Sequence, residues 1–123
     1  MNCGSSKDCA RHDLVRSRVA WLLWCLPAVA ILIAAPSDAA RPWVWIPSLL
    51  VMGTACLKNA GRCGRLHCRF TGPLFLLGAV ATFLDRFGVV AMHWRWTLAG
   101  LIAGTILAFA LEHLRGRYGS GAV

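Results

Sequence analysis

The sequence predicts an all-α polytopic integral membrane protein, a four-transmembrane-helix bundle with both termini inside. Three observations predict it. Hydrophobic residues make up 58% and charged residues only 15% of a 123-residue chain, more apolar surface than so short a chain can bury in water. The apolar residues gather in four runs, each near or slightly below the ~20 residues that cross a bilayer core. The basic residues fall between those runs in an alternating pattern, as they do around membrane helices.

A polar, basic cytoplasmic tail occupies residues 1–18, a transmembrane domain 19–114, and a short C-terminal tail 115–123. The first span is read at Val19 to Ala35, "VAWLLWCLPAVAILIAA", with Cys25 two residues before Pro27. A cleaved leader is the competing reading of Arg11 to Ala40, but Asp38 stands where a cleavage site wants a small residue. The second span is Trp43 to Leu57, extending to Ala60 with Lys58 snorkelling. The third runs from Phe70 to Leu84, with Thr71 as its N-cap and Pro73 in its first turn. The fourth runs from Trp94 to Leu111 and carries Gly100, Gly104 and Ala108 every four residues. Such a small-residue stripe suits either another helix of the bundle or the face of a homodimer.

With the N-terminus inside, Lys7, Arg11, Arg16, Arg18, Lys58, Arg62, Arg65, Arg69, Arg115 and Arg117 are cytoplasmic, leaving only Arg41, Arg86 and Arg95 of the 13 basic residues outside. The same topology puts Trp43, Trp45, Trp94 and Trp96 at the outer interface, where amphipathic indoles prefer to lie. The expected location is the cell's inner (plasma) membrane, crossed several times. A formal charge of +8 would otherwise raise nucleic acid as a partner, but no run forms a continuous basic face, and topology accounts for the charge.

The densest chemistry is "CLKNAGRCGRLHCRFTGP", Cys56 to Pro73, the cytoplasmic connection between spans two and three. Gly61 and Gly64 argue against a continuous helix through it. Thiolate and imidazole are ligands for soft or borderline ions, so Cys56, Cys63, His67 and Cys68 are the candidate ligands for Hg, Cu or Zn. Cys25 is a candidate way-station inside the membrane, and Cys3 and Cys9 lie in the tail. The spacing matches no standard zinc module. Arg62, Arg65 and Arg69 would favour the thiolate form, or contact anionic lipid or a partner protein.

The expected function is therefore handling or transport of a soft metal ion through cytoplasmic thiolates. The alternative is a non-catalytic membrane scaffold or partner subunit with a basic contact loop. A redox enzyme exchanging Cys63 with Cys68 is the third reading, and four intervening residues count against the familiar redox motif. No carboxylate pair, hydrolase pattern or phosphate-cradling loop is present to suggest another enzyme. Asp85, His93, Glu112 and His113 are read as interfacial anchors.

The loop resembles a family of small prokaryotic membrane proteins, of no assigned activity, sharing the pattern Cys-x-x-Asn-Ala-x-x-Cys-Gly-Arg-x-His-Cys-x-x-Thr-Gly-Pro. Here it comprises Cys56, Asn59, Ala60, Cys63, Gly64, Arg65, His67, Cys68, Thr71, Gly72 and Pro73. More loosely, "WCLPAVAILIAA" is similar to the first span of bacterial mercuric-ion transport proteins, which place cysteine near proline. This chain has one cysteine there rather than a pair. That resemblance implies passage of a thiophilic ion.

Overall fold

A computed structural model describes residues 18–115, apart from the side chain of Cys63. The tail with Cys3, Cys9, Lys7, Arg11 and Arg16, and Arg117 at the other end, lie outside the described residues. Among the described residues the chain is mostly helical, with four helices and no strand.

Helix α1 covers Trp21–Ala34. Its first turn, Trp21–Cys25, is π-wound, with the Leu26 N–H reaching back to Trp21 O. Pro27 follows at the start of the α-helical part, where it brings no N–H to the ladder, so the wider turn sits beside the missing donor. Helix α2 is Arg41–Cys63, with Pro42 in its first turn, where the absent N–H leaves no bond unmade. It runs straight through Gly61 and stops at Gly64, whose φ of +63° and N–H bond to Ala60 O (2.8 Å) form a left-handed cap.

Only Gly64 and an extended Arg65 separate α2 from helix α3, Leu66–Arg86. The third helix thus begins about a turn earlier than the sequence suggests. Thr71 is not its N-cap: it lies inside the helix and its hydroxyl donates to His67 O at 2.9 Å. Helix α4 is Trp94–Arg115, entered through a turn in which Asp85 accepts the Met92 N–H (2.9 Å).

Helices α2 and α3 form a tight antiparallel hairpin, with α1 packed on α2 and α4 on α3, while α1 and α4 flank the pair without packing on each other. Glycine sets the closeness of the hairpin. A Cβ on Gly53 would stand 3.1 Å from Gly72 O, and one on Gly72 would stand 2.8 Å from the Leu57 side chain. Along this seam lie Trp45, Leu49, Met52, Cys56, Cys68, Phe75 and Ala79. Trp45, expected in the outer aromatic belt, is completely buried, and its indole N–H donates to Ile31 O at 3.0 Å. Trp43 and Trp96 remain exposed.

The bundle buries polar groups beside its apolar core and turns many apolar side chains outward. Asn59, Arg65, His67, Thr71, Thr82 and Glu112 are buried, whereas Leu22, Ile33, Leu77, Val80, Ile106 and Leu107 face outward. Helices α3 and α4 are each long and apolar enough to cross a membrane; α1 is apolar but shorter. The small-residue stripe of α4 is largely used within the chain. A Cβ on Gly104 would meet Leu74 at 2.6 Å and Ala108 is buried, whereas Gly100 has nothing within 4 Å.

Candidate functional site

The two-residue turn at Gly64 and Arg65 folds the end of α2 against the start of α3, and this brings Cys56 and Cys68 together. Both sulfurs are buried, with residue exposures of 1% and 0%, in one cluster on the seam between α2 and α3. Donors converge on them. The Trp24 indole N–H points at Cys56 Sγ from 3.2 Å, the Thr71 hydroxyl lies 3.4 Å from the same sulfur, and the Asn59 amide donates to Cys68 Sγ at 3.6 Å. The π-turn of α1 has a role here, since it sets the rotation of Trp24 relative to the rest of the helix.

His67 continues the chain of bonds. Its Nε2 lies 3.2 Å from Cys68 Sγ, and its Nδ1 is bonded to Glu112 Oε2, which also accepts the His67 backbone N–H (3.2 Å). The other carboxylate oxygen, Oε1, accepts from Arg65 Nε (3.3 Å) and Nη2 (3.1 Å). An ionised carboxylate only accepts, so Nδ1 carries the proton shared with Glu112. In the neutral ring Nε2 then presents its lone pair to the Cys68 thiol. Phe109 stacks on the imidazole, with ring centroids 4.3 Å apart and 18° between planes, and covers its open face. Every buried side-chain nitrogen and oxygen of the described residues has a partner, so the network is complete.

The candidate residues read from the sequence part into three groups. Cys56, His67 and Cys68 belong to this cluster, with Arg65. That arginine is 7% exposed and turned onto Glu112, so it is withdrawn from the lipid or partner contact expected of it. Arg62 and Arg69 are exposed near the same end, as is Lys58. Cys25 is exposed on the outward side of α1, beside but not within the cluster. Cys63 is the last residue of α2.

Glu112 and Trp24 were not anticipated as members. Glu112 was read as an interfacial anchor and is instead 5% exposed at the centre of the network. A signal for it existed: the stripe of Gly100, Gly104 and Ala108 lands on Glu112 when carried one more turn.

Among the described residues, no three His, Cys, Asp or Glu side chains form a group that could hold a metal ion. What the site offers is a pair of buried thiols in one cluster, beside an oriented imidazole. Fold and site define a class: an all-helical protein with membrane-competent helices built around a buried dithiol. The chain matches no protein-family model, no curated protein and no solved structure.

Proposed function

We propose that this chain is a four-span protein of the cell's inner membrane that binds a soft metal ion between the thiolates of Cys56 and Cys68. The burial of the two sulfurs in one cluster, with an N–H donor aimed at each, carries the reading. Hydrogen bonds to sulfur stabilise the thiolate that binds metal and tune its basicity. Two thiolates suffice for Hg(II) or Cu(I), which accept two-coordinate sulfur sites. Zn(II) wants four ligands in a closed site, so it is the poorer fit. His67, held by Glu112, stands where it would orient the pair and exclude water. Cys25 and Cys63 are proposed as exchange partners rather than ligands of the resting site.

Outward apolar faces on every helix support four spans, because they need a non-aqueous surrounding. At 1.5 Å per residue α2 is about 34 Å long, enough for a bilayer core of about 30 Å, with its charges near the ends. The proposed topology keeps both termini and the α2–α3 turn on the cytoplasmic side. A dimer seam, if formed on α4, would centre on Gly100, the stripe residue left open.

The test is titration of purified, reduced protein in detergent with Hg(II), Cu(I) and Zn(II), following thiolate-to-metal absorption. One Hg(II) or Cu(I) per chain is expected in wild type and in C25S, and none in C56S or C68S. Undiminished binding in the C56S/C68S double variant overturns the proposal. The exposure of Lys58, Arg62 and Arg69 at one end favours a second reading, a basic surface on anionic lipid at about 1 kcal/mol per residue. It predicts that R62Q/R69Q weakens vesicle binding while leaving metal titration unchanged.

A further inference from the structure

At the end of the bundle opposite the thiols, the α1–α2 turn and the α3–α4 loop enclose a vestibule of about 670 Å³. Asp38, Arg41, Asp85 and Arg86 line it, so two guanidiniums face two carboxylates and the formal charges balance. Arg41 is fixed in place: it is 9% exposed, its Nε donates to Ala35 O at 2.9 Å, and its Nη2 pairs with Asp38 at 2.7 Å. Its guanidinium carbon stands 5.1 Å from the centre of the Trp94 ring, which Arg95 approaches to 5.4 Å. Asp85 spends Oδ1 on the Met92 N–H. Among the described residues its other oxygen has no donor, and the exposed Arg86 pairs with no acid, its neighbour Asp85 included.

Deeper in the bundle lies an apolar groove of about 260 Å³, lined by Ile31, Leu49, Phe75, Leu98 and Ile106. Leu98 is one helical turn, about 6 Å of rise, from Trp94 of the vestibule. The groove lies where α1 and α4 flank the central hairpin without packing on each other, so it opens sideways. The one hydroxyl in its lining, that of Thr105, is spent on Leu101 O at 2.7 Å. A hydrocarbon chain needs no more than this. The head that such a chain carries is set by the vestibule. A purely anionic head would meet Asp38 and Asp85, and a purely cationic one Arg41 and Arg86; a head with both charges satisfies both. Phosphate suits the guanidiniums. The open oxygen of Asp85 takes a hydrogen bond, which a primary ammonium donates and a quaternary one cannot. A quaternary head wants an open aromatic face instead, and the indole here is taken by Arg41 and Arg95.

We propose that vestibule and groove together hold one phospholipid of the outer leaflet whose head joins a phosphate to a primary ammonium. The phosphate lies on Arg41 and Arg86, the ammonium on Asp85, and an acyl chain enters the groove between α1 and α4. Trp43 and Trp96, exposed at the same end of the bundle, mark the depth of lipid heads. The site rests on the four-span reading for that depth and is independent of any metal. It differs in place and in chemistry from the anionic lipid considered for Lys58, Arg62 and Arg69.

The experiment is native mass spectrometry of the delipidated full chain in detergent, offered dioleoyl lipids with phosphoethanolamine, phosphocholine or phosphoglycerol heads at equal concentration. One phosphoethanolamine lipid per chain is expected, retained about tenfold better than either rival, the worth of one hydrogen bond to a charged group. R86Q, on an exposed side chain, should reduce that retention to the phosphocholine level. D85N keeps an oxygen for the Met92 N–H but loses the charge, so it should turn the preference toward the anionic phosphoglycerol lipid. Both variants should keep the wild-type thermal midpoint, which separates these effects from misfolding. Soluble phosphoethanolamine in large excess should leave the lipid bound. Equal retention of the three lipids by wild type overturns the head-group assignment, as does an unchanged preference in D85N. Displacement by soluble phosphoethanolamine overturns the role of the groove. Selection of the phosphoethanolamine lipid is read in detergent, so it stands or falls separately from the four-span topology.

Discussion

Glu112 holds two groups that would be costly to bury alone. One carboxylate oxygen binds the guanidinium of Arg65 and the other binds His67, all three residues being under a tenth exposed. Removing one partner of a buried ionic network leaves the others uncompensated, at about 3–5 kcal/mol. E112A is therefore expected to lower unfolding stability in detergent by about that amount, with E112Q intermediate because it keeps the shape and an acceptor oxygen. A loss no larger than that of a surface substitution would show that the carboxylate is dispensable. Trp24 makes the opposite case, in which function and folding separate. W24F keeps the ring and deletes the N–H aimed at Cys56. It should weaken soft-metal affinity about tenfold, the low end for outer-shell partners, with little change in thermal midpoint. Unchanged affinity would mean that the indole only packs there.

At the scale of helices, the site depends on how closely α2 and α3 approach. Gly53 and Gly72 allow the approach, and Gly64 turns the chain within two residues. G72V should force the hairpin apart at Leu57 and cost about 1–3 kcal/mol. It should also lower metal stoichiometry, because Cys56 and Cys68 sit on either side of the strained contact. G64A puts a side chain at a φ of +63° and should cost about 1 kcal/mol. By contrast G100A meets open space, replaces glycine in a helix interior, and should be neutral or stabilising by up to about 1 kcal/mol. Thermal unfolding of the three variants in one detergent ranks them. A destabilised G100A would point to a contact outside the single chain.

For the whole molecule, the sidedness of the polar cluster is the feature that function depends on. Its charged rim, Lys58, Arg62, Arg69 and Arg115, lies at the end that the proposed topology places in the cytoplasm. Reporter fusions at both termini and after α2 should report one side, and fusions after α1 and α3 the other. A fusion after α1 that reports the same side as the termini, with the one after α3 opposite, would leave α1 and α2 as a peripheral pair. Thiol labelling offers an independent view. A lipid-soluble maleimide should modify Cys25, which is exposed, before it reaches Cys56 or Cys68. Equal labelling of the three would mean that the hairpin opens on the labelling timescale.

Helicity was legible in the sequence because apolar runs and their breaks are local properties: Gly64 marks a boundary that the backbone obeys, although Gly61 does not. The membrane-competent character of α3 and α4 was legible for the same reason. The chain composition also marked Cys56, His67 and Cys68 as unusual neighbours in an apolar protein. Which thiols cluster was not legible. Cys56 joins Cys68 in one buried cluster from twelve positions away because a two-residue turn and two glycines set the register of α2 on α3. Arg65 and Glu112 looked like surface charges for a similar reason. A charge counted alone belongs at an interface, and only packing shows that it has a partner. Sequence by itself thus determined the elements and the kinds of ligand available. The tertiary structure decided the dithiol, the imidazole behind it and the carboxylate that holds both, since hydrogen bonds between helices depend on rotation and register that no single helix specifies.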